Sequence, residues 1–209
     1  MKIPEVIETP NDLSPLKIRG LVLYRDYFTY KGKQYSYTDI RHLAFDWKTF
    51  KDLTPGSIWD LTMWFEIVGV SKRIKVKTLD NMFFNISMKR FKVFYFGYSY
   101  LAIKSFDARY NYYLNLYEEE GFFHYSGYYF YSDRITDRKG YELLIESSMI
   151  EVQKHIHGFI LLAKEDVKPN FAQKLLPYNP RMVGALVEDA DRDVIEQLLK
   201  DIYTLKIIN

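Results

Sequence analysis

The chain has 209 residues and a nearly balanced charge, with 29 lysines and arginines against 27 aspartates and glutamates. This balance argues against a nucleic-acid partner, because proteins that bind phosphate backbones usually concentrate a clear basic excess. Cysteine is absent, which excludes disulfides, thiolate metal sites and a cysteine nucleophile. Aromatic residues make up 18% of the chain, with 19 tyrosines, and this composition favours sheets over a helical bundle.

The first element expected in chain order is an extended N-terminal arm over residues 1–16, since Pro4, Pro10 and Pro15 oppose a helix. The arm lacks the charged start and apolar run of a signal peptide. No stretch is apolar over the roughly 20 residues that a membrane-spanning helix needs. The sequence therefore predicts a soluble, cytoplasmic protein.

Residues 17–120 are predicted to form a β-rich domain that ends in a helix. Apolar residues at helical spacing indicate a helix from Ser99, which can cap its start, to Tyr117, with Gly121 able to end it. The turn Lys31-Gly32-Lys33 indicates a hairpin. β-Branched and aromatic residues predict strands over 21–30, 34–45, 59–68, 73–79 and 82–88.

Residues 121–209 are predicted to repeat this order as a second β-rich domain. A final helix is expected over 193–203, where Asp193 and Glu196 have capping-box spacing. The chain is thus expected to be an α+β protein with two β-rich halves, each an antiparallel sheet or partial barrel followed by a C-terminal helix. The strands predicted in the second half cover 122–125, 128–135, 141–147, 150–155, 158–163 and 182–187.

A short aromatic pattern occurs once in each half. Phe28-x-Tyr30-x-Gly32-x-x-Tyr35 matches Phe123-x-Tyr125-x-Gly127-x-x-Phe130 at an offset of roughly 95 residues. Either the chain is a tandem repeat with these hairpins at equivalent positions, or the match arises by chance from the abundance of aromatic residues.

The opening hairpin and the order of elements resemble the pleckstrin-homology-like superfold, a bent antiparallel barrel capped by one C-terminal helix. The residues that carry the resemblance are Tyr24 to Tyr30 and Tyr35 to Leu43, the latter including Thr38-Asp39-Ile40. The resemblance implies a binding or scaffolding module, because this superfold mostly holds lipids, peptides or partner proteins. Fold likeness alone does not establish function.

Two groups of residues are candidate binding surfaces. A basic group could meet an anionic membrane surface, although lysines on an edge strand also serve to discourage aggregation. A tyrosine-rich group could form a protein interface, although such strands often pack in a core. The basic candidates are Arg73, Lys75, Lys77, Lys89, Arg90 and Lys92, beside Lys72, and the interface candidates are Tyr125, Tyr128, Tyr129 and Tyr131.

The candidates for metal binding are sparse. His155 and His157 would share a strand face, and Asp189 and Asp191 belong to an acidic run before the last helix. Half-exposed strand residues and helix capping explain the same patterns without a metal. The run also lacks the glycine and glutamate that a calcium loop requires.

No nucleophile elbow and no glycine-rich phosphate loop occur in the sequence. The expected function is therefore a non-enzymatic, intracellular protein-binding module without a cofactor, such as an interaction protein or an immunity protein that blocks a toxin. One alternative is a module that binds an anionic lipid surface. A second alternative is a metal-dependent hydrolase or nuclease that uses the acidic run.

Overall fold

The computed structural model describes residues 9–50, 57–77, 88–137, 140, 142–144, 150–155, 158–163, 182–186, 190–203 and 207–208. The chain divides into two compact units, Met1–Arg109 and Tyr110–Asn209. Both contain strands and helix, so the α+β class is confirmed. Three sheets are antiparallel throughout, and the fourth includes one parallel pair. Within the described residues, none of the helices has the length and apolar character needed to cross a membrane.

The first sheet of the first unit is a four-stranded antiparallel meander. Its two outer hairpins close through two-residue turns, Arg19-Gly20 and Lys31-Gly32, in which both residues have positive φ. This backbone is that of the type I′ turn, whose twist matches that of the flanking strands. The strands are β1 (Leu16–Ile18), β2 (Leu21–Leu23), β3 (Tyr27–Tyr30) and β4 (Lys33–Ser36).

The second sheet of the first unit contains two long strands and a short one, paired antiparallel in the order β5-β6-β7. Along β6, Leu61, Met63 and Phe65 are completely buried, as the alternation of a half-buried strand predicts. The strands are β5 (Ile40–Phe50), β6 (Ser57–Ile67) and β7 (Ile74–Lys77).

Two predicted strands of the first unit are each interrupted. The strand expected over 21–30 breaks after Leu23, where the Tyr24 amide donates to the Tyr27 carbonyl across a turn at 3.0 Å. The strand expected over 34–45 breaks at a 3-10 helix, η1 (Tyr37–Asp39). A capping box explains this second break. The Ser36 hydroxyl accepts the backbone N–H of Asp39, and the Asp39 carboxylate accepts the backbone N–H of Ser36.

The first helix, α1 (Met88–Glu120), is much longer than predicted and runs from the first unit into the second. Ser99 lies inside it, so the predicted cap is wrong. The predicted strand 82–88 is contradicted at Met88, which begins the helix, while 82–87 lie outside the described residues. The end is confirmed: Gly121 has a φ of 77°, and its N–H donates to the Tyr117 carbonyl at 2.9 Å.

The core of the first unit lies between its sheets and α1. Phe94 and Leu101 of the helix are buried against strand residues such as Leu23, Phe28 and Phe65. Phe94 falls in the stretch that the sequence left unassigned before Ser99, whereas Leu101 lies within the predicted helix. An i, i+7 spacing of large apolar side chains is the helical period that places them on one core-facing side.

The second unit contains two sheets and a second helix. Strands predicted over 150–155 and 158–163 are confirmed, whereas the strand predicted over 128–135 is split at Ser132-Asp133. The sheet orders are β11-β10-β9-β8 and β14-β13-β12-β15. The elements are β8 (Phe122–Tyr125), β9 (Tyr128–Tyr131), β10 (Arg134–Asp137), β11 (Glu142–Leu144), β12 (Ile150–His155), β13 (Gly158–Ala163), β14 (Met182–Leu186), α2 (Arg192–Tyr203) and β15 (Ile207–Ile208).

The C-terminal end of the second unit differs from its prediction in two ways. The helix α2 begins at Arg192, so Asp193 is in its first turn and not at its cap. The helix is also followed by β15, which pairs in parallel with β12 at Val152. A strand of only two apolar residues after a helix is too short to show a period, which is why the sequence did not indicate it.

Candidate functional site

The outer face of the β8–β9 hairpin carries a continuous group of aromatic rings, which we call the aromatic platform: Phe122, His124, Tyr129 and Tyr131. These residues alternate with buried ones along both strands. The Phe122 ring centroid lies 5.5 Å from that of Tyr129 and 5.3 Å from that of Tyr131. The His124 and Tyr129 centroids are 5.0 Å apart. Rings that support one another across strands hold their rotamers without further contacts.

Arg134, at the start of β10, extends the platform. Its guanidinium carbon lies 4.5 Å from the centroid of the Tyr131 ring. Its Nη1 also lies 3.2 Å from a carboxylate oxygen of Asp133, which is two-thirds exposed at 67%. The stacked guanidinium adds a cation beside the apolar area of the platform.

The tyrosines predicted as interface residues do not lie on one face. Tyr129 and Tyr131 are half-buried on the platform, whereas Tyr125 is only 2% exposed and donates its hydroxyl to the Ala190 carbonyl at 2.9 Å. Tyr128 shares strand parity with Phe130, which is completely buried. The sequence missed Phe122 and His124, although their alternation with Phe123 and Tyr125 was the signal for a second face.

The basic residues at β7 lie on the first unit. Lys75 and Lys77 are exposed and alternate with the buried Ile74 and Val76. Arg73, immediately before the strand, is held by two contacts: its Nη2 lies 2.7 Å from Glu66 Oε1, and its guanidinium stacks 3.7 Å from the centre of the Trp64 ring. The charge of Arg73 is thus partly neutralised, and the two lysines form an ordinary solvated strand face.

The basic residues of α1 occupy a different setting. Lys89 and Arg90, in the first turn of the helix, line a cavity of about 380 Å³ together with Lys17 and Arg19. Lys92 is half-buried and is not among the lining residues. Lys17 and Arg19 were not predicted from the sequence, although both flank the buried Ile18. Side chains next to a buried strand residue point away from the core.

The metal candidates are not brought together in the part of the structure that is described. Among those residues, no group of three or more His, Cys, Asp or Glu side chains is placed to hold a metal ion. Asp191 is completely buried, and its carboxylate accepts a hydrogen bond from the Tyr113 hydroxyl at 3.1 Å. Asp189, His157 and the side chain of His155 lie outside the described residues.

Comparison of the chain with protein-family models, with curated proteins and with solved structures found no match.

Proposed function

We propose that the protein is a non-enzymatic, cytoplasmic module that binds another protein through the aromatic platform of its second unit, as an interaction or immunity-type protein would. The observation that carries the proposal is the set of half-exposed rings on the outer face of β8 and β9, extended by the stacked Arg134. Tyrosine, phenylalanine and arginine are enriched at protein interfaces, and tyrosine and arginine are also enriched among the residues that carry most of the affinity.

The platform suits a protein partner because little order is lost when it binds. Phe122 contacts two rings and Tyr129 contacts both Phe122 and His124, so their side chains are already confined. Side chains that are fixed before binding avoid the entropy cost of about 0.5–1.5 kcal/mol that each mobile one adds. The phenol and guanidinium groups give the apolar area polar edges, as is usual at the rim of a protein interface.

We also propose that the two units are a tandem duplication of a pleckstrin-homology-like module. Support comes from the order of elements: four antiparallel strands, three antiparallel strands and a helix occur in β1–β7 with α1 and again in β8–β14 with α2. Turn glycines and an aspartate then pair at offsets of 107 or 108 residues, namely Gly20 with Gly127, Asp26 with Asp133, and Gly32 with Gly140.

This alignment differs from the offset of roughly 95 residues read from the aromatic pattern. That pattern matches β3–β4, the last hairpin of the first sheet, with β8–β9, the first hairpin of the second unit. Both hairpins have a positive-φ residue followed by glycine at the turn, Lys31-Gly32 and Ser126-Gly127. The similarity between the two aromatic patterns is therefore explained by the turn that both hairpins share, in which both central residues have positive φ.

The test of the protein-binding proposal is quantitative capture from the native host with the full chain as bait. We expect a stoichiometric partner that is retained by the unaltered protein and lost by the double variant Tyr129→Ala/Tyr131→Ala. The matched control is Tyr95→Ala/Ile103→Ala, which removes two exposed apolar side chains from α1, Tyr95 being 50% and Ile103 75% exposed. Calorimetry with the purified partner then measures each variant.

A loss of at least tenfold in affinity for the platform variant, with less than about threefold for the control, is the expected result. Equal losses in both variants, or a partner that binds both as tightly as the unaltered protein, would contradict the proposal. Circular dichroism of each variant shows whether it is folded and so distinguishes lost binding from lost folding. Because the platform side chains are only half-buried, we expect the platform variant to fold.

A further inference from the structure

The aromatic platform is bordered at one end by exposed carboxylates. We call this group the acidic rim: Glu118, Glu119, Glu120 and Asp133. Glu120 ends α1, and only Gly121 separates it from Phe122, so the Cα atoms of Glu120 and Phe122 lie within about 8 Å of each other. Phe122 pairs across the hairpin with Tyr131, and Asp133 follows Tyr131 by two residues. Both parts of the rim therefore adjoin the same end of the platform.

The rim is negatively charged although the whole chain has a formal net charge of +2. Residues 110–137 include five acidic residues and a single lysine or arginine, Arg134, which is itself paired with Asp133. Among the residues that the structure describes, the three glutamates of the rim form no ion pair. The helix dipole disfavours carboxylates in the last turn of a helix, so they stand there against local preference. Such conflicts are expected mainly at functional sites.

The chain itself shows twice which group binds where an aromatic ring lies beside a carboxylate. In the first unit, the guanidinium carbon of Arg73 lies 3.7 Å from the centre of the Trp64 ring, and its Nη2 lies 2.7 Å from Glu66 Oε1. In the second, Arg134 stacks on Tyr131 at 4.5 Å and is paired with the aspartate of the rim. A guanidinium suits both places, because its flat face stacks on a ring while its paired donors match a carboxylate.

We propose that the partner of the aromatic platform is a basic protein segment, whose arginines stack on the platform rings and pair with the acidic rim. This inference rests on the proposed function and names the chemistry of its partner. Phe122 and Glu120 place a ring and a carboxylate two residues apart, as the arginines within the chain require. Opposite charge on the two surfaces speeds their encounter and fixes their orientation. Lysine is a compact charge without a flat face, so arginine is the preferred residue of the partner.

The test titrates the full chain with a short synthetic peptide in which arginine alternates with glycine, and follows the backbone amide signals of Phe122 and Tyr129. Matched peptides have lysine or glutamate in place of arginine. We expect the arginine peptide to bind at least about threefold more tightly than the lysine peptide, and the glutamate peptide not to bind. The affinity for the arginine peptide should fall as salt is raised from about 50 to 300 mM.

Two variants locate the peptide on the protein. The rim variant is Glu118→Gln/Glu119→Gln/Glu120→Gln. The matched control removes three exposed carboxylates of the first unit and is Asp12→Asn/Asp26→Asn/Asp107→Asn. We expect the rim variant to lose at least about fivefold in affinity for the arginine peptide and the control less than about twofold. The melting temperature of the rim variant should be equal or higher, because carboxylates leave the end of a helix.

Several results would overturn the inference. Equal weakening by both variants would show diffuse attraction to net charge, and equal affinity for the arginine and lysine peptides would show attraction without stacking. Absence of arginine-peptide binding by the unaltered protein would overturn it as well. A lower melting temperature of the rim variant with unchanged affinity would assign the three glutamates a structural role instead.

The partner captured from the host distinguishes failure of this inference from failure of the proposed function. If Tyr129→Ala/Tyr131→Ala loses the partner while the rim variant retains it, the platform binds a partner that is not basic, and only this inference is wrong. If the rim variant loses the partner while the platform variant retains it, the proposed function is wrong, because the rings then contribute nothing. Loss in both variants, with the partner retained by the control, is the expected result.

Discussion

Gly97 of α1 and Ile18 of β1 are in such close contact that no side chain fits between them. A Cβ added at Gly97 would overlap Ile18 Cδ1 and would also touch Leu16 Cδ2 at 3.6 Å. Ile18 is 2% exposed and belongs to the core of the first unit, so its Cδ1 has little room to move. This one contact therefore sets how near the first strand lies to the helix.

Substitution of Gly97 by alanine is expected to destabilise the protein. Overpacking a closed core costs about 1–3 kcal/mol, and the better helix propensity of alanine returns about 1 kcal/mol. We expect a net loss of up to about 2 kcal/mol in the free energy of unfolding, measured by urea denaturation. Ile18→Val removes the overlapping methyl group, so Gly97→Ala should cost less in that background. Additive effects in the double-mutant cycle would contradict the contact.

Two tyrosines hold the connection between β2 and β3. The Tyr37 hydroxyl donates to the Tyr24 carbonyl at 2.6 Å, and the Tyr100 hydroxyl donates to the Arg25 carbonyl at 3.1 Å. Their rings meet edge to face with centroids 5.8 Å apart. Burial is the largest cause that raises the pKa of Tyr37 above its ordinary value, followed by the proximity of Tyr100 and Asp26. Both hydroxyls thus act as neutral donors that secure an irregular segment.

Tyr37→Phe is expected to lower the free energy of unfolding by about 1 kcal/mol, because the partly buried Tyr24 carbonyl loses its shortest donor. The matched control is Tyr35→Phe, since the Tyr35 ring stacks on Phe28 at 5.5 Å and phenylalanine retains that contact. We expect the control to change stability by less than about 0.5 kcal/mol. If both variants unfold at the same urea concentration, the hydrogen bond to Tyr24 contributes nothing.

The second unit contains a tyrosine that should make stability depend on alkaline pH. Burial raises the pKa of Tyr110 to about 12, and the hydrogen bond that its hydroxyl donates to Asp201 Oδ2 at 2.7 Å adds to the effect. An unfolded tyrosine titrates near pH 10. The stabilisation is therefore complete below about pH 10 and is lost as the pH rises towards 12.

We expect Tyr110→Phe to reduce this alkaline loss. The difference in unfolding free energy between the unaltered protein and the variant should be constant up to about pH 10 and should fall above it. Urea denaturation at several pH values measures that difference, while ultraviolet titration counts the tyrosines that ionise late. Asp201→Asn is the companion variant: by removing the carboxylate it should lower the pKa of Tyr110, so that the alkaline loss is smaller and ends at a lower pH. An alkaline loss of the same size in the unaltered protein and in both variants would show that Tyr110 does not cause it.

The regular strands were predictable where apolar residues alternate without interruption, as in β7, where the buried Ile74 and Val76 alternate with Lys75 and Lys77. The breaks in the first sheet were not predicted, although the spacing of Ser36 and Asp39 is that of a capping box and could have indicated one of them. The early start of α1 was missed for a physical reason. Phe91, Phe94 and Tyr98 have high strand propensity, and tertiary packing of one helical face overrides that preference.

The candidate sites were likewise predicted only in part. The aromatic platform was half-predicted, because Tyr129 and Tyr131 were identified while alternation was not used to remove Tyr125. The cavity at the start of α1 was out of reach, because Arg19 and Arg90 are far apart in sequence and only the packing of β1 on α1 brings them together. A local sequence pattern identifies which residue types belong to a site. Which strand or helix packs beside them is set by the topology of the fold, which a local pattern does not show.

Two serines of α1 provide a direct check of its boundaries and of its buried arginine. Ser105 is completely buried and accepts from Arg109 Nε at 3.0 Å while donating to the Leu101 carbonyl at 2.7 Å. Arg109 is completely buried as well, and its Nη2 donates to the Ala102 carbonyl at 2.9 Å. Ser105→Ala removes the acceptor of a charged donor. It should lower the free energy of unfolding by about 1–2 kcal/mol even though alanine favours the helix.

The control, Ser99→Ala, distinguishes the two positions that were proposed for the start of the helix. A serine at an N-cap stabilises a helix by about 1 kcal/mol, so the substitution would be costly if the helix began at residue 99. In α1, which begins at Met88, Ser99 is a half-buried interior residue, and alanine is the better helix former there. We therefore expect Ser99→Ala to leave stability unchanged or to raise it by about 0.5 kcal/mol, measured by urea denaturation. A loss of about 1 kcal/mol would instead place the start of the helix at Ser99.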